Sequence, residues 1–200
     1  MENLQNITGI VLSGGQSKRM GREKGLIPLL GKPLIAYSIH VLEKTCSEVI
    51  ISANQEDYKA FGFPVINDEM AGIGPAGGIL SCLKASRTEG NFILSCDMPL
   101  VSTDLVRYIL ERRGNAGVTV PLHNGYPEPL CGFYSKAIIP EFRNRIKNGV
   151  YKIQDILEKL NVSFLEIEPA LGFYHPGLFE NVNTQYDLKR IEAILKSKRP

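Results

Sequence analysis

The sequence predicts an α/β fold in three layers: a mostly parallel central sheet with helices on both sides. Three observations carry this expectation. Short runs rich in Ile and Val recur along the first half, segments with helical spacing separate them, and polar residues fall at the carboxyl end of each run. With 200 residues and 44% hydrophobic content, the chain has material for one large domain over 1–200 rather than two small ones.

The elements follow in order. ITGIVLS (7–13), EVIISAN (48–54), FPVIND (63–68) and NFILSCD (91–97) read as strands buried on both faces. PLIAYSIHVLEKT (33–45), QEDYKAF (55–61) and PAGGILSCLKAS (75–86) read as the helices between them. STDLVRYILERR (102–113) is a further helix, with Ser102 or Thr103 as N-cap. The pattern then changes to strands at 116–122 and 128–134, flanking the turn signal Asn124-Gly125. Helices at 137–147 and 152–160, a strand at 162–168 and a helix at 184–197 complete the reading.

Charge and composition exclude several classes. No apolar segment reaches the roughly 18 residues of a membrane span and no export pattern opens the chain, so a cytoplasmic protein with no membrane partner is expected. Cys46, Cys82, Cys96 and Cys131 have no metal-type spacing and sit in apolar contexts that suit buried, reduced thiols. A net charge of +2 argues against a nucleic-acid surface, but its distribution is uneven. Residues 16–32 hold Lys18, Arg19, Arg22, Lys24 and Lys32 against Glu23 alone, which leaves the rest of the chain slightly negative. The partner of that charge should be small and anionic.

In open α/β sheets, ligands collect beyond the carboxyl ends of the strands, where loops converge and helix N-termini point free N–H groups outward. Ser13-Gly14-Gly15, Asn54, Asp68 and Asp97 each fall at such an end. Paired glycines alone would signal only a tight turn, but a turn does not account for four cations in the ten residues that follow. The stretch LSGGQSKRMGREKG (12–25) is therefore read as a polyphosphate cradle. It is not a Walker A loop, because five residues separate Gly15 from Gly21 and Arg22 follows. GIGPAG (72–77) satisfies GxGxxG, yet Asp68 to Ala71 intervene between it and its strand, so Gly74 is assigned to a small-residue platform for a flat ligand. His40 on the buried stripe of its helix, His123 and His175 lack the company of a nucleophilic triad.

LSGGQSKRMGREKGLIPLLGKPLI resembles the N-terminal signature LAGGxSxRMGxxK…GKPL of nucleotidyltransferases, with Ser13 in place of the usual alanine. VINDEMAGIGPAGGILSCL, CDMPLV, EPLCGFY and FENVNTQYDL are similar to later blocks of the molybdenum cofactor guanylyltransferase family, apart from Ala76 and Gln185, and extend the resemblance over nearly the whole chain. The resemblance implies a three-layer Rossmann-like fold of the nucleotide-diphospho-sugar transferase type. It implies transfer of GMP from GTP to the terminal phosphate of Mo-molybdopterin, diphosphate as leaving group, Mg²⁺ as cofactor, and transient contact with other molybdenum cofactor proteins.

The residues suit that chemistry. In-line attack at the α-phosphorus needs positioning and charge neutralisation, which the backbone N–H groups of 13–15 with Arg19 and Lys24 would supply. Asp97 would hold Mg²⁺. Leu12, Ser13, Gly14, Gly15, Lys24, Asn54, Asp68, Gly74 and Asp97 form the expected nucleotide site in residues 1–100, with Asn54 and Asp68 on the base and ribose side. By resemblance, the pterin phosphate would approach from residues 101–200 near Asn181 and Asn183, although Asn is also a favoured helix cap. CTP as donor, another phosphorylated acceptor such as a phospho-sugar, and a non-catalytic nucleotide-binding module stay open as alternatives. Lys24 and Asp97 together speak against the last, since binding alone needs no metal-holding carboxylate at the α-phosphate.

Overall fold

In the computed structural model, residues 6–13, 16–17, 22–70 and 72–197 are described. An eight-stranded sheet runs through them. Its strands are β1 (Ile7–Leu12), β2 (Glu48–Ser52), β3 (Val65–Ile66), β4 (Gly90–Ser95), β5 (Val118–His123), β6 (Tyr126–Pro127), β7 (Cys131–Ser135) and β8 (Val162–Glu166). The order across the sheet is β6-β5-β7-β4-β1-β2-β3, with β8 added to β5. β1 pairs in parallel with both β2 and β4, β2 with β3, and β5 with β8, whereas β7 runs antiparallel to β4 and β5. Six strands therefore point the same way and end on one rim, as a mostly parallel sheet requires.

Burial explains the layering. All six residues of β1 are buried, and their alternation sends Ile7 and Val11 to one face and Ile10 and Leu12 to the other. Helices α1 (Leu34–Glu43) and α3 (Thr103–Arg112) cover the first face through Ile35, Leu42, Val106 and Ile109. Helices α2 (Pro75–Ala85), α4 (Ile139–Lys147) and α5 (Ile153–Leu157) cover the second through Ile79, Leu83, Phe142 and Ile156. Gly9 lets α1 lie flush on β1, since a Cβ there would stand 2.9 Å from Leu42 Cβ. Helix α6 (Gln185–Ser197) closes a third cluster, placing Leu188 and Ile191 against Leu29, Leu34 and Leu100. Among the described residues no helix is long and apolar enough to cross a membrane.

Several sequence expectations shift. The helix expected at 55–61 is a 3₁₀ helix, Glu56–Phe61, stopped by Gly62 at φ +80°. The strand expected at 63–68 narrows to β3, and that at 128–134 starts at Cys131 because Cys131 N–H donates to Glu128 O (3.1 Å) in a turn. The helix expected from 137 begins as a 3₁₀ turn, Lys136–Ile138, and α5 ends at Leu157 rather than 160. His40 is exposed and not on the buried stripe of α1, which runs through Leu34, Ile35, Ser38, Ile39, Val41 and Leu42. Two small hairpins, Gln16–Ser17 with Arg22–Glu23 and Pro28–Leu29 with Lys32–Pro33, were not anticipated. The Ser102 cap holds, its hydroxyl accepting from Leu105 N–H, and Asn124-Gly125 turns β5 into β6 with both φ angles positive.

Candidate active site

The common rim brings β1, β4 and the segment before α6 together. Beyond the formal end of β1, Ser13 N–H donates to Ser52 O (2.9 Å) and Cys96 N–H donates to Leu12 O (3.0 Å). The sheet thus continues one rung on each side before the chain leaves it. The amide of Ser13 is spent on that rung, so it is not one of the phosphate donors the sequence reading expected of 13–15. Leu12 gives its side chain to the core and its carbonyl to the sheet. Gly14, Gly15 and Arg19 lie outside the described residues.

Lys24 opens a 3₁₀ turn, Lys24–Leu26, and reaches across the rim. Its Nζ donates to Asp97 Oδ2 at 2.5 Å and to Asn183 Oδ1 at 2.6 Å. The two charged side chains are only 19% and 14% exposed, so water screens the pair weakly. Asp97 Oδ1 is buried and has no hydrogen-bond partner among the described residues. The main chain of Asp97 is tied as well: its carbonyl accepts from Val182 N–H at 2.9 Å. Residues far apart in sequence thus converge on one carboxylate.

Asn183 is not the helix cap. Thr184 caps α6, its Oγ1 accepting from Asp187 N–H (3.1 Å), while Asp187 Oδ2 accepts from the N–H groups of Asn183 and Thr184 and from Thr184 Oγ1. These donors hold the Asp187 carboxyl below the usual carboxylate range, the Thr184 hydroxyl most of all. Asn183 is thereby left with a free-standing side chain aimed at Lys24. Asn181 is half-buried, and its amide turns back to Phe179 O at 3.5 Å.

Asn54, Asp68 and Gly74 form a second group on the β2–β3 side. Asn54 Oδ1 accepts from Asp68 N–H (2.8 Å), and Asp68 Oδ1 accepts from Met70 N–H (2.8 Å). The Asp68 carboxylate lies on the first turn of α2, where a Cβ at Gly77 would stand 2.3 Å from its Oδ1. Gly74 at φ +70° and ψ −154° adopts a conformation that only glycine reaches cheaply, and Pro75 follows it as the first helical residue.

Sequence reading missed Glu128. It precedes the turn into β7, and Leu130 O accepts from Ser95 N–H, which carries the β4–β7 ladder towards Asp97. Burial first, and then the negative charge of Asp97, push the Glu128 carboxyl up to about 7. Only its place in the EPLCGFY block could have singled it out. Three of the thiols are buried as expected and Cys46 is half-buried; desolvation pushes Cys46, Cys82 and Cys96 up to about 12 and Cys131 further, so none is a nucleophile at neutral pH. His123 packs among Tyr174 and Phe179, with ring centroids 5.9 and 5.1 Å away.

A lysine and a carboxylate, held beyond the ends of β1 and β4 on one rim of the sheet, match the class of protein that this fold houses, the nucleotidyltransferases. The chain belongs to the MobA-like NTP transferase family, whose domain model matches residues 9–163. It is 32% identical over 196 residues, 98% of this chain and 100% of the relative, to a probable molybdenum cofactor guanylyltransferase of Carboxydothermus hydrogenoformans. The solved structure of molybdopterin-guanine dinucleotide biosynthesis protein A from Archaeoglobus fulgidus superposes with a TM-score of 0.80 at 30% identity, covering 95% of this chain and 99% of that one. A CMP:2-keto-3-deoxy-manno-octonic acid synthetase complexed with CTP shares the fold at a TM-score of 0.71 and 15% identity, covering 96% and 98%.

Proposed function

We propose that this enzyme transfers GMP from GTP to the terminal phosphate of Mo-molybdopterin, releasing diphosphate. The observation that carries the reading is the convergence of Lys24, Asp97 and Asn183, drawn from the two halves of the chain onto one point of the rim. In the step, an oxygen of the acceptor phosphate bonds to the α-phosphorus of the nucleotide. The bond from that phosphorus to the oxygen bridging to the β-phosphate breaks, and diphosphate leaves with the electron pair. Lys24 neutralises charge that grows on the phosphate oxygens. It needs no new hydrogen bond to be built at that moment, because Asp97 and Asn183 already hold its ammonium in place.

The chemistry of the site suits Mg²⁺. Asp97 Oδ1 is a buried oxygen without a partner among the described residues, and hard oxygen donors are what this ion takes. Among the described residues no group of three or more His, Cys, Asp and Glu could hold a metal, which fits an ion held by one carboxylate together with phosphate oxygens. Asp97 would hold it, and when bound it would supply further charge neutralisation at the triphosphate. Asn54, Asp68 and Gly74 serve the base and ribose in residues 1–100, and Asn181 and Asn183 the acceptor side in residues 101–200, with Asn183 also bearing on the nucleotide through Lys24. The four free thiols fit a reducing, cytoplasmic setting.

The test is direct. The protein is incubated with Mg²⁺, molybdopterin and each of the four triphosphates in turn, and diphosphate and dinucleotide product are measured. Release with GTP that requires molybdopterin supports the reading. Release with CTP alone makes the enzyme a cytidylyltransferase, and no release with any triphosphate overturns transfer.

A further inference from the structure

Beside Lys24, three side-chain oxygens from separate segments meet. Ser13 follows β1, Tyr58 lies fully buried in the 3₁₀ helix Glu56–Phe61, and Glu23 immediately precedes the lysine. Gly25, on the other side of the lysine, marks the meeting point. A Cβ there would stand 2.2 Å from Ser13 Oγ and 2.8 Å from the Tyr58 hydroxyl, so both hydroxyls press on the backbone just after Lys24. Glu23 reaches the same phenol from before the lysine, while its Oε1 accepts from Gln55 Nε2 at 2.9 Å. Ser13 and Glu23 are near enough to Tyr58 to influence its ionisation, yet Ser13 Oγ, Tyr58 OH and Glu23 Oε2 make no well-formed hydrogen bond among the described residues.

Packing does not account for this. A phenylalanine would fill nearly the same volume without burying a hydroxyl, and buried polar atoms without partners are costly. Two hydroxyls beside Gly25 and the Glu23 carboxylate beside the phenol hold the parts of a short relay, with the Ser13 O–H turned to the phenolic oxygen and the phenolic O–H to the Glu23 carboxylate. Such a relay would grip the chain on both sides of Lys24 and tie it to the end of β1 at Ser13.

We propose that Tyr58 is a positioning residue for Lys24: its phenol, between Ser13 and Glu23, fixes the backbone flanking the lysine and so holds the ammonium at Asp97 and Asn183. This rests on the reading of Lys24 as a reacting-site lysine, and it is tested both with and without turnover. Loss of the grip displaces a group that acts mainly in the transition state, so kcat falls more than KM rises.

The variant is Tyr58→Phe in the full chain. We expect kcat about tenfold lower, KM for GTP changed by less than about threefold, and an unchanged or higher melting temperature. Glu23→Gln, which keeps an acceptor oxygen, should retain most of the rate that Glu23→Ala loses. Independently of activity, brief labelling with an amine-specific acylating reagent, read by mass spectrometry, should modify Lys24 several-fold faster in Tyr58→Phe than in the wild type, with Lys84 and Lys136 unchanged. Equal labelling of Lys24 in the two proteins overturns the proposal, as does wild-type kcat in Tyr58→Phe. If the wild type releases diphosphate from no triphosphate, the transfer reading fails while the labelling result still decides the role of Tyr58.

Discussion

The two sides of the rim are built in opposite ways. On the β2–β3 side, Asn54 holds the main chain of Asp68, whose carboxylate lies on the first turn of α2, all between residues 54 and 77, so that platform is local. At the reaction centre, Lys24, Asp97 and Asn183 depend on segments up to 159 residues apart. The difference teaches where each kind of damage should appear. A local platform fails alone and leaves the chemistry standing, whereas a centre assembled from remote segments couples both substrates to every one of its members.

The largest expected effect strikes the convergent centre. Asp97→Asn keeps the shape but removes the charge that faces Lys24 and would hold Mg²⁺, and transfer should fall about a thousandfold, the equivalent of several kcal/mol of charge stabilisation. Diphosphate release measures it, and a variant within threefold of the wild type would place the centre elsewhere. Gly77→Ala strikes the platform instead. A Cβ at 2.3 Å from Asp68 Oδ1 must push the carboxylate away, so KM for GTP should rise about tenfold at nearly constant kcat. Its melting temperature should hold, because alanine in a helix is favoured over glycine by about 1 kcal/mol. Unaltered GTP kinetics would remove Asp68 from the nucleotide site.

The two asparagines sharpen the contrast. Asn183 touches Lys24, so Asn183→Ala should lower the rate about tenfold and weaken GTP binding a few-fold, whereas Asn181→Ala should raise only the acceptor KM. Both should melt as the wild type does, since the cap of α6 is Thr184 with Asp187. Calorimetric titration with GTP separates them, and identical affinities would show that the Asn183 contact has no bearing on the nucleotide.

The smallest effect concerns pH. The folded Glu128 carboxyl titrates near 7 against an unfolded value of 4.5, so between these values the folded state holds the extra proton. Its contribution to stability is fully present below pH 4.5 and is lost as pH rises through 7. In metal-free buffer, Glu128→Gln should therefore be more stable than the wild type at pH 8, by about 1 kcal/mol after allowance for solvent access, and the gap should close towards pH 4. Denaturant melts at the two pH values measure this, and a gap independent of pH would contradict it.

How far these features could be read from sequence follows the same division. Runs such as ITGIVL and GNFILS are Ile-, Leu- and Val-rich strands buried throughout, and the cap Ser102 and the turn Asn124-Gly125 act through neighbouring residues, so all were legible. Lys24, Asp97 and the asparagines could be singled out, but not the contact between Lys24 and Asn183, because nothing near either residue specifies it. The hairpin Pro28–Pro33 turns through Leu30 at φ +50°, a residue that rarely signals a turn, which is why it went unread. Glu128 looks like an ordinary loop carboxylate until the β4–β7 register lays it towards Asp97. The amide of Ser13 looked free because a strand end read from sequence does not show that its neighbours continue one rung further.

The tie between Asp97 O and Val182 N–H, and the seating of α6 behind it, also set an order in time. Lys24 leaves the ribosome 159 residues before Asn183 does, an interval of roughly 10–30 s at ordinary synthesis rates. Before that interval closes the parallel strands and the local platform have all their parts, whereas the reaction centre still lacks Asn183. The centre is therefore complete only once translation has passed Asn183, and a chain that stops short of its last twenty residues carries the glycine-rich loop, the lysine and the aspartate without the side chain and the main-chain tie that hold them together.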